Sequence, residues 1–350
     1  MVHYVLGDIV TEISERENNP SNSSYERFVG LEHYVSGEVE IENYGSTSNL
    51  NSAMKVFKSG DILVARRNVY LKRASVVYFD GLTSGDSIVL RPKDETIGRI
   101  LPFILNTDDF WNYADQHSDG TMSKRLSPKV LKKYEFDLPE ENLEQFADTL
   151  WAMVDVKKSY QKLLKQTDEL VKSQFIEMFA DTPKGVLSDV ATIKMGQSPD
   201  GKTYNDEGNG TAFYQGKTEF GDLYIGAPTT WTTAPTRFAE ANDVLMSVRA
   251  PVGSTNIAVE QCCLGRGLAG IRPIEGKSTT MFILYSMRSI EDQIEGMGVG
   301  STFKAINKDQ VYKLPIPIAD LDKQARFVKI AEQSDKSKFE LKQAIEGVDV

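Results

Sequence analysis

Four blocks of this chain recur about 180 residues later in the same order, and a duplication of that kind confines the fold to two lobes of like topology. Leu6-Gly7-Asp8-Ile9-Val10 matches Leu187-Ser188-Asp189-Val190-Ala191. Residues 57–67 match 238–249, which sets Asp61, Leu63 and Arg67 against Asp243, Leu245 and Arg249. Residues 88–92 (IVLRP) match 269–273 (AGIRP). Residues 121–138 match 301–318, pairing Lys124 with Lys304 and the alternating Tyr134, Phe136, Leu138 with Leu314, Ile316, Ile318. Chance can supply one such block, but not four in register.

Within each copy, β-branched and apolar runs bounded by Gly, Pro, Asn and Asp predict short strands at 62–65, 75–79 and 88–90, then at 244–248, 256–259 and 267–271. Short strands and turns, without long helices, make each lobe α+β. Pro- and Gly-rich stretches at 198–210 and 221–235 are expected to be loops with side chains available for contact.

Each copy ends differently. From 141 to 179, Leu143, Phe146, Leu150, Met153, Tyr160, Leu164, Val171 and Met178 recur at three- and four-residue spacings among charged residues, the pattern of an amphipathic helix. Pro139 precedes it and Asp181-Thr182-Pro183-Lys184-Gly185 stops it. Such a helix would run on the order of 57 Å, longer than one lobe needs, and residues 321–345 predict a second of roughly 38 Å. Helices at equivalent points of a duplicated chain can pair antiparallel along their apolar stripes. The alternative is that each packs on its own lobe, favoured by Lys157, which interrupts the stripe.

Composition narrows the function. The chain has 350 residues and a formal charge of −10, enough length for two ordinary domains but no excess of cations for indiscriminate nucleic-acid binding. The charge is unevenly spread: residues 1–54 hold 2 basic and 9 acidic side chains, residues 55–133 hold 14 and 9, and residues 189–317 hold 12 and 14. No apolar run is long enough to span a membrane and the first residues lack the zones of a signal peptide, so a soluble, cytoplasmic protein without membrane contact is expected. The two cysteines, Cys262 and Cys263, are adjacent, which suits neither an ordinary disulfide nor a zinc site. They are expected as small buried strand residues.

Catalytic signatures fail on inspection. Gly265-Arg266-Gly267-Leu268-Ala269-Gly270 fits G-x-G-x-x-G, but Ile271-Arg272-Pro273 follows, where a dinucleotide site needs a helix opening on the pyrophosphate. A glycine-rich strand with close backbone approach is the better reading. Residues 210–218 (GTAFYQGKT) carry one residue too many for a phosphate-binding loop. His3, His33 and His117 all fall in the first copy without duplicates, and no metal cluster or triad is visible. The Asp/Asn-Pro-Pro-aromatic tetrapeptide of amino-methyltransferases is absent from the sequence. Any reaction this chain serves is expected to take place on another chain.

What remains is an inventory of DNA-contacting side chains. Arg66, Arg67, Asn68, Tyr70, Lys72 and Arg73 follow a predicted strand, and Lys124 and Arg125, with Lys129, Lys132 and Lys133, lie near the end of the lobe. The second copy offers Lys202, Tyr204, Gln215, Lys217, Thr229, Thr230, Trp231, Arg237, Arg249 and Lys304. Lys and Arg neutralise phosphates, while Arg, Asn and Gln also read base edges. Arg67/Arg249 and Lys124/Lys304 recur at matched positions and so carry the most weight.

Residues 242–253 (NDVLMSVRAPVG) and 300–318 (GSTFKAINKDQVYKLPIPI), leading into Leu321-Asp322-Lys323-Gln324, resemble the repeated target-recognition pattern of the specificity subunits of type I restriction-modification systems. The resemblance extends over essentially the whole chain and is closest in the second half. In the first half Arg66-Arg67-Asn68 replaces the small residue, the Arg249-Ala250-Pro251 run and the Gly253 of the second. The resemblance implies target-recognition domains at 1–139 and 183–318, a central spacer helix at 140–182 and a distal one at 319–350. It implies that each domain reads one half of a bipartite double-stranded DNA target, with the helices setting the gap and docking two methyltransferase subunits. S-adenosylmethionine would then bind those partners and ATP the restriction subunits, with no cofactor on this non-catalytic chain. A coiled-coil adaptor between two proteins that never touches DNA remains the alternative, with a nucleotide-using enzyme built on the Gly265 motif a distant third.

Overall fold

The strand Ile62–Ala65 is buried along its whole length, because both of its faces are covered by other layers. Ile62 and Val64 point into one apolar cluster and Leu63 and Ala65 into another, the alternation a pleated strand imposes. The computed structural model describes residues 1–120, 124–298 and 305–347. It divides into two units, residues 1–158 and residues 159–347, the boundary falling inside the helix expected to be a separate spacer.

In the first unit Ile62–Ala65 belongs to an antiparallel sheet in the order Val10–Ile13, Ser87–Pro92, Ile62–Ala65, Ala74–Val76. One face is covered by the helices Glu95–Ile104 and Asp108–Gln116 and by the start of a long helix, through Ala147, Leu150 and Val154. The other face meets a second sheet in the order Arg16–Glu17, Met54–Phe57, Gly81–Thr83, Arg27–Val29, Gly45–Ser46. A pair of strands, Val2–Val5 with Glu135–Leu138, closes the unit.

The second unit repeats this plan. Its four-stranded sheet runs Ala191–Met195, Leu268–Pro273, Val244–Ser247, Thr255–Ile257, and Lys184–Val186 pairs with Pro315–Pro317. Its five-stranded sheet runs Tyr204–Asn205, Trp231–Thr232, Thr211–Tyr214, Cys262–Leu264, Phe238–Ala239. Each five-stranded sheet holds a single parallel pair, at Arg27–Val29 with Gly81–Thr83 and at Thr211–Tyr214 with Cys262–Leu264. The units differ at the rims: Arg16–Glu17 edges one sheet and Tyr204–Asn205 edges the other, on opposite sides of the shared four strands.

The duplicated residues make the duplicated contacts. Arg91 donates Nε and Nη2 to the Asp61 carboxylate at 2.7 and 2.8 Å, and Arg272 does the same to Asp243 at 2.7 and 2.8 Å. Each carboxylate also accepts a turn N–H, from Lys58 and Glu240, at 2.8 Å. The turns pass through the left-handed region at Gly60 (φ 88°) and Asn242 (φ 69°), and Asn tolerates that region better than other non-glycine residues. Cys262 and Cys263 lie buried in their strand.

Two structural features correct the sequence reading. The lobes do contain helices of about three turns, Glu95–Ile104 and Thr280–Ser289. They are capped by Asp94 and Thr279, whose side chains accept from Ile97 and Phe282 N–H. The first hid behind Pro102 in its interior, and the second shows no polar face, since all but its ends are buried. The strands expected at 75–79 and 256–259 are Ala74–Val76 and Thr255–Ile257.

The long helices are Leu143–Phe179 and Leu321–Glu346. Both expected packings occur. The first part of the central helix packs on its own lobe, with Trp151 Nε1 donating to Arg99 O at 2.9 Å and Lys157 paired to Glu38 at 3.4 Å. In the second unit its last turns meet the distal helix. Phe175 and Phe179 lie 5.1 and 5.7 Å from Phe327, ring to ring, and Asp168 pairs with Lys338 at 2.9 Å. Residue numbers fall along one helix as they rise along the other, so the two run antiparallel there.

Candidate nucleic-acid interface

In the first unit the chain leaving Ile62–Ala65 is fixed by two backbone bonds, Arg66 N–H to Asp86 O and Leu126 N–H to Arg66 O, both 2.8 Å. An isolated antiparallel bridge then sets Arg67 opposite Arg125. The Asp86 carboxylate takes both guanidinium groups: Arg67 Nε lies 3.2 Å and Arg125 Nη2 2.8 Å from its Oδ1. Arg66 lies beside them with its Nε buried and without a partner, and burial, reinforced by Arg125, pulls its pKa below the ordinary guanidinium value. Asn68 (φ 53°) and Lys72 (φ 45°) flank a short 3-10 turn that leaves Tyr70 68% exposed.

Other candidates are held by the protein itself. Lys72 pairs with Asp108, and Lys124 with Asp115 at 2.6 Å. Arg73 donates to Leu31 O and Arg67 O at 3.1 and 3.0 Å, and Lys132 pairs with Glu12 at 3.1 Å. A phosphate reaching these groups would replace an existing acceptor instead of meeting a bare cation.

In the second unit the same backbone frame reappears: Val248 N–H donates to Gly267 O at 2.9 Å and Ile306 N–H to Val248 O at 3.0 Å. A bridge sets Arg249 opposite Ala305. Gly267 thus stands where the first unit has Asp86. A cavity of about 520 Å³ opens here, lined by Gln215, Lys217, Thr218, Arg249, Arg266 and the adjoining backbone. It brings together three side chains singled out from the sequence, Gln215, Lys217 and Arg249. Arg266, dismissed with the glycine motif, joins them.

The glycines do what close approach requires. A Cβ on Gly265 would come within 2.6 Å of Gln215 Cα, and one on Gly267 within 2.4 Å of Gln215 O, so only glycine lets the two segments form this wall. The strand Leu268–Pro273 follows without a helix. The remaining candidates line neighbouring loops. Lys202 sits in the 3-10 turn Gly201–Thr203, and Arg237 is exposed at a strand edge. The Tyr204 ring lies tilted against Phe213 at 4.8 Å between centroids, Thr229 donates to Glu219 at 3.1 Å, and Trp231 packs against the small core of its sheet. The backbone carbonyl of Thr230 accepts from Phe213 N–H at 2.9 Å. Tyr204 and Trp231 therefore serve the fold as much as any ligand, and the stretches expected as loops contribute strands. Lys304 lies outside the described residues.

Among the described residues no group of three or more His, Cys, Asp or Glu side chains could hold a metal ion, and no helix is long and apolar enough to cross a membrane. Arranged this way, the side chains present guanidinium and amide groups from fixed backbone positions, a chemistry suited to phosphates and base edges.

Comparison with known proteins agrees with this chemistry. Residues 184–347 match the family described as type I restriction modification DNA specificity domain. A putative type I restriction enzyme MjaX specificity subunit from Methanocaldococcus jannaschii is 39% identical over 176 residues, covering 50% of this chain and 41% of that protein. The match thus spans less than half of that relative's length. A chain solved in work on complex assembly and conformational transition of the type I R-M system is 29% identical, with a TM-score of 0.60 over 99% of this chain and 96% of that one. A type I restriction-modification S subunit from M. genitalium shares the fold, with 13% identity and a TM-score of 0.55 over 99% of this chain and 92% of that one.

Proposed function

We propose that this chain, whose residues 184–347 match the family described as type I restriction modification DNA specificity domain, is the non-catalytic DNA-reading subunit of such a system. Each unit reads one half of a bipartite duplex target. The long helices set the gap between the halves and dock two methyltransferase subunits, which bring S-adenosylmethionine, and restriction subunits join with ATP.

One observation carries this reading: the same backbone frame occurs twice and presents an arginine from the same bridge each time, Arg67 and Arg249. A fold duplicated with its arginine suits a target read in two parts. The cations cluster locally, so an acidic chain can still meet a polyanion. The continuous 37-residue helix Leu143–Phe179 supplies a stiff element that a flexible linker would not.

The test is selection of bound duplexes from a random pool by the full chain together with its methyltransferase. The expected result is a motif in two parts separated by a fixed, unspecified gap. Affinity should fall with salt at a log-log slope of about −0.9 per phosphate neutralised. A single contiguous motif, or binding indifferent to salt, refutes the assignment.

A further inference from the structure

The two units differ at one place in an otherwise shared frame. In the first, the Asp86 carboxylate sits between Arg67 and Arg125, and in the second the matching position is Gly267, with Ala305 opposite Arg249. Among the described residues Arg249 has no acidic partner. We propose that Asp86 is a positioning residue for DNA selectivity in the first unit, holding Arg67 as a preset fork for a base edge and withholding it from the phosphates of unrelated DNA. This rests on the DNA-reading function above.

The geometry supports both halves of that statement. Arg67 meets Asp86 with Nε as its nearest atom, at 3.2 Å, and among the described residues its two terminal amines donate no hydrogen bond to the protein. Two parallel N–H donors are what the O6 and N7 acceptors of guanine require. An arginine already fixed at Nε loses less rotamer freedom on making that contact than a free one. Both arginines remain close to half exposed, at 47% and 43% of their side-chain surface, with Asp86 at 26%, so the fork is reachable while its anchor is partly shielded.

The same carboxylate opposes indiscriminate binding. One anion shared by two cations reduces the local charge that a phosphate would meet, and its own charge repels the phosphodiester. A phosphate drawing Arg67 or Arg125 to itself must break an existing pair. A base edge that accepts from the free amines leaves the pair intact. The second unit, where Arg249 and Arg266 line an open cavity with Gln215 and Lys217, lacks this restraint.

The experiment uses the full chain with its methyltransferase and compares wild type with D86N, D86E and R67Q by random-pool selection, together with salt titrations on a duplex lacking the motif. D86N keeps the shape and removes the charge. It is expected to bind the unrelated duplex roughly tenfold more tightly at 0.1 M salt, with a slope steeper by about one unit. One base pair of the half-motif that R67Q also blurs should become degenerate, while the other half-motif is unchanged. D86E should restore discrimination. Uniformly weaker binding by D86N, or an unaltered motif, overturns the assignment and leaves Asp86 as a structural ion pair. If wild type itself selects no two-part motif, the DNA-reading function is what falls, and this assignment falls with it.

Discussion

Replacing Phe327 by Ala tests whether the distal helix is anchored in the second unit. Phe327 is 0% exposed and meets Phe175 at 5.1 Å, Phe179 at 5.7 Å and Tyr285 at 5.7 Å between ring centroids. A buried Phe→Ala change costs about 3–5 kcal/mol in transfer and cavity terms. Three aromatic neighbours on rigid elements leave little scope for collapse, which favours the upper half, about 4–5 kcal/mol. For a unit of this size each kcal/mol lowers Tm by about 2–4 °C, so its calorimetric transition should drop by roughly 8–20 °C if it unfolds independently. The control is Phe339→Ala in the same helix, where the ring is 60% exposed and the change should stay within about 0.5 kcal/mol. Equal losses at the two positions, or a Phe327 loss below about 1 kcal/mol, would show that the helix is not held by this cluster.

Gly267→Ala should destabilise the second unit by about 1–3 kcal/mol in denaturant titration, the usual range for overpacking, because its Cβ would sit 2.4 Å from Gln215 O. Unchanged stability would mean that the Gln215 segment yields easily and that the cavity wall is not fixed. Lengthening both long helices by four residues, nearly one turn, should add about 6 Å along the axis with only a ~40° rotation. The gap in the selected motif should then widen by up to about two base pairs. An unaltered gap would show that the helices are not the ruler.

The parts of the fold legible in the sequence are those written twice or written at length. Asp61 and Arg91 recur as Asp243 and Arg272, and the structure joins each Asp to its Arg through a bidentate pair. The central helix could be bounded at 141–179 because its amphipathic period is sustained and Pro183 and Gly185 end it. The structure has Leu143–Phe179. The five-stranded sheets were not legible, since most of their strands span two or three residues, too few to show a period. Nor was the pairing of Asp86 with Arg125, 39 residues apart, because a surface ion pair leaves no local signature.

The candidate site follows the same division. Backbone atoms fix where Arg67 and Arg249 stand, and the frame that does so is common to both units, down to the bonds at Arg66 with Leu126 and at Val248 with Ile306. Side chains at the frame differ between the units: Arg66 corresponds to Val248, Asp86 to Gly267 and Arg125 to Ala305. Substitution at such positions leaves the backbone bonds intact and alters only the donors and charges presented beside one arginine. Two units with the same fold can in this way acquire different partners without either losing its core, because the core is carried by Leu63, Leu245 and their neighbours on the buried faces of the sheets. The first unit presents two guanidiniums sharing one carboxylate and the second an open, cationic cavity, and that difference is where their preferences should diverge.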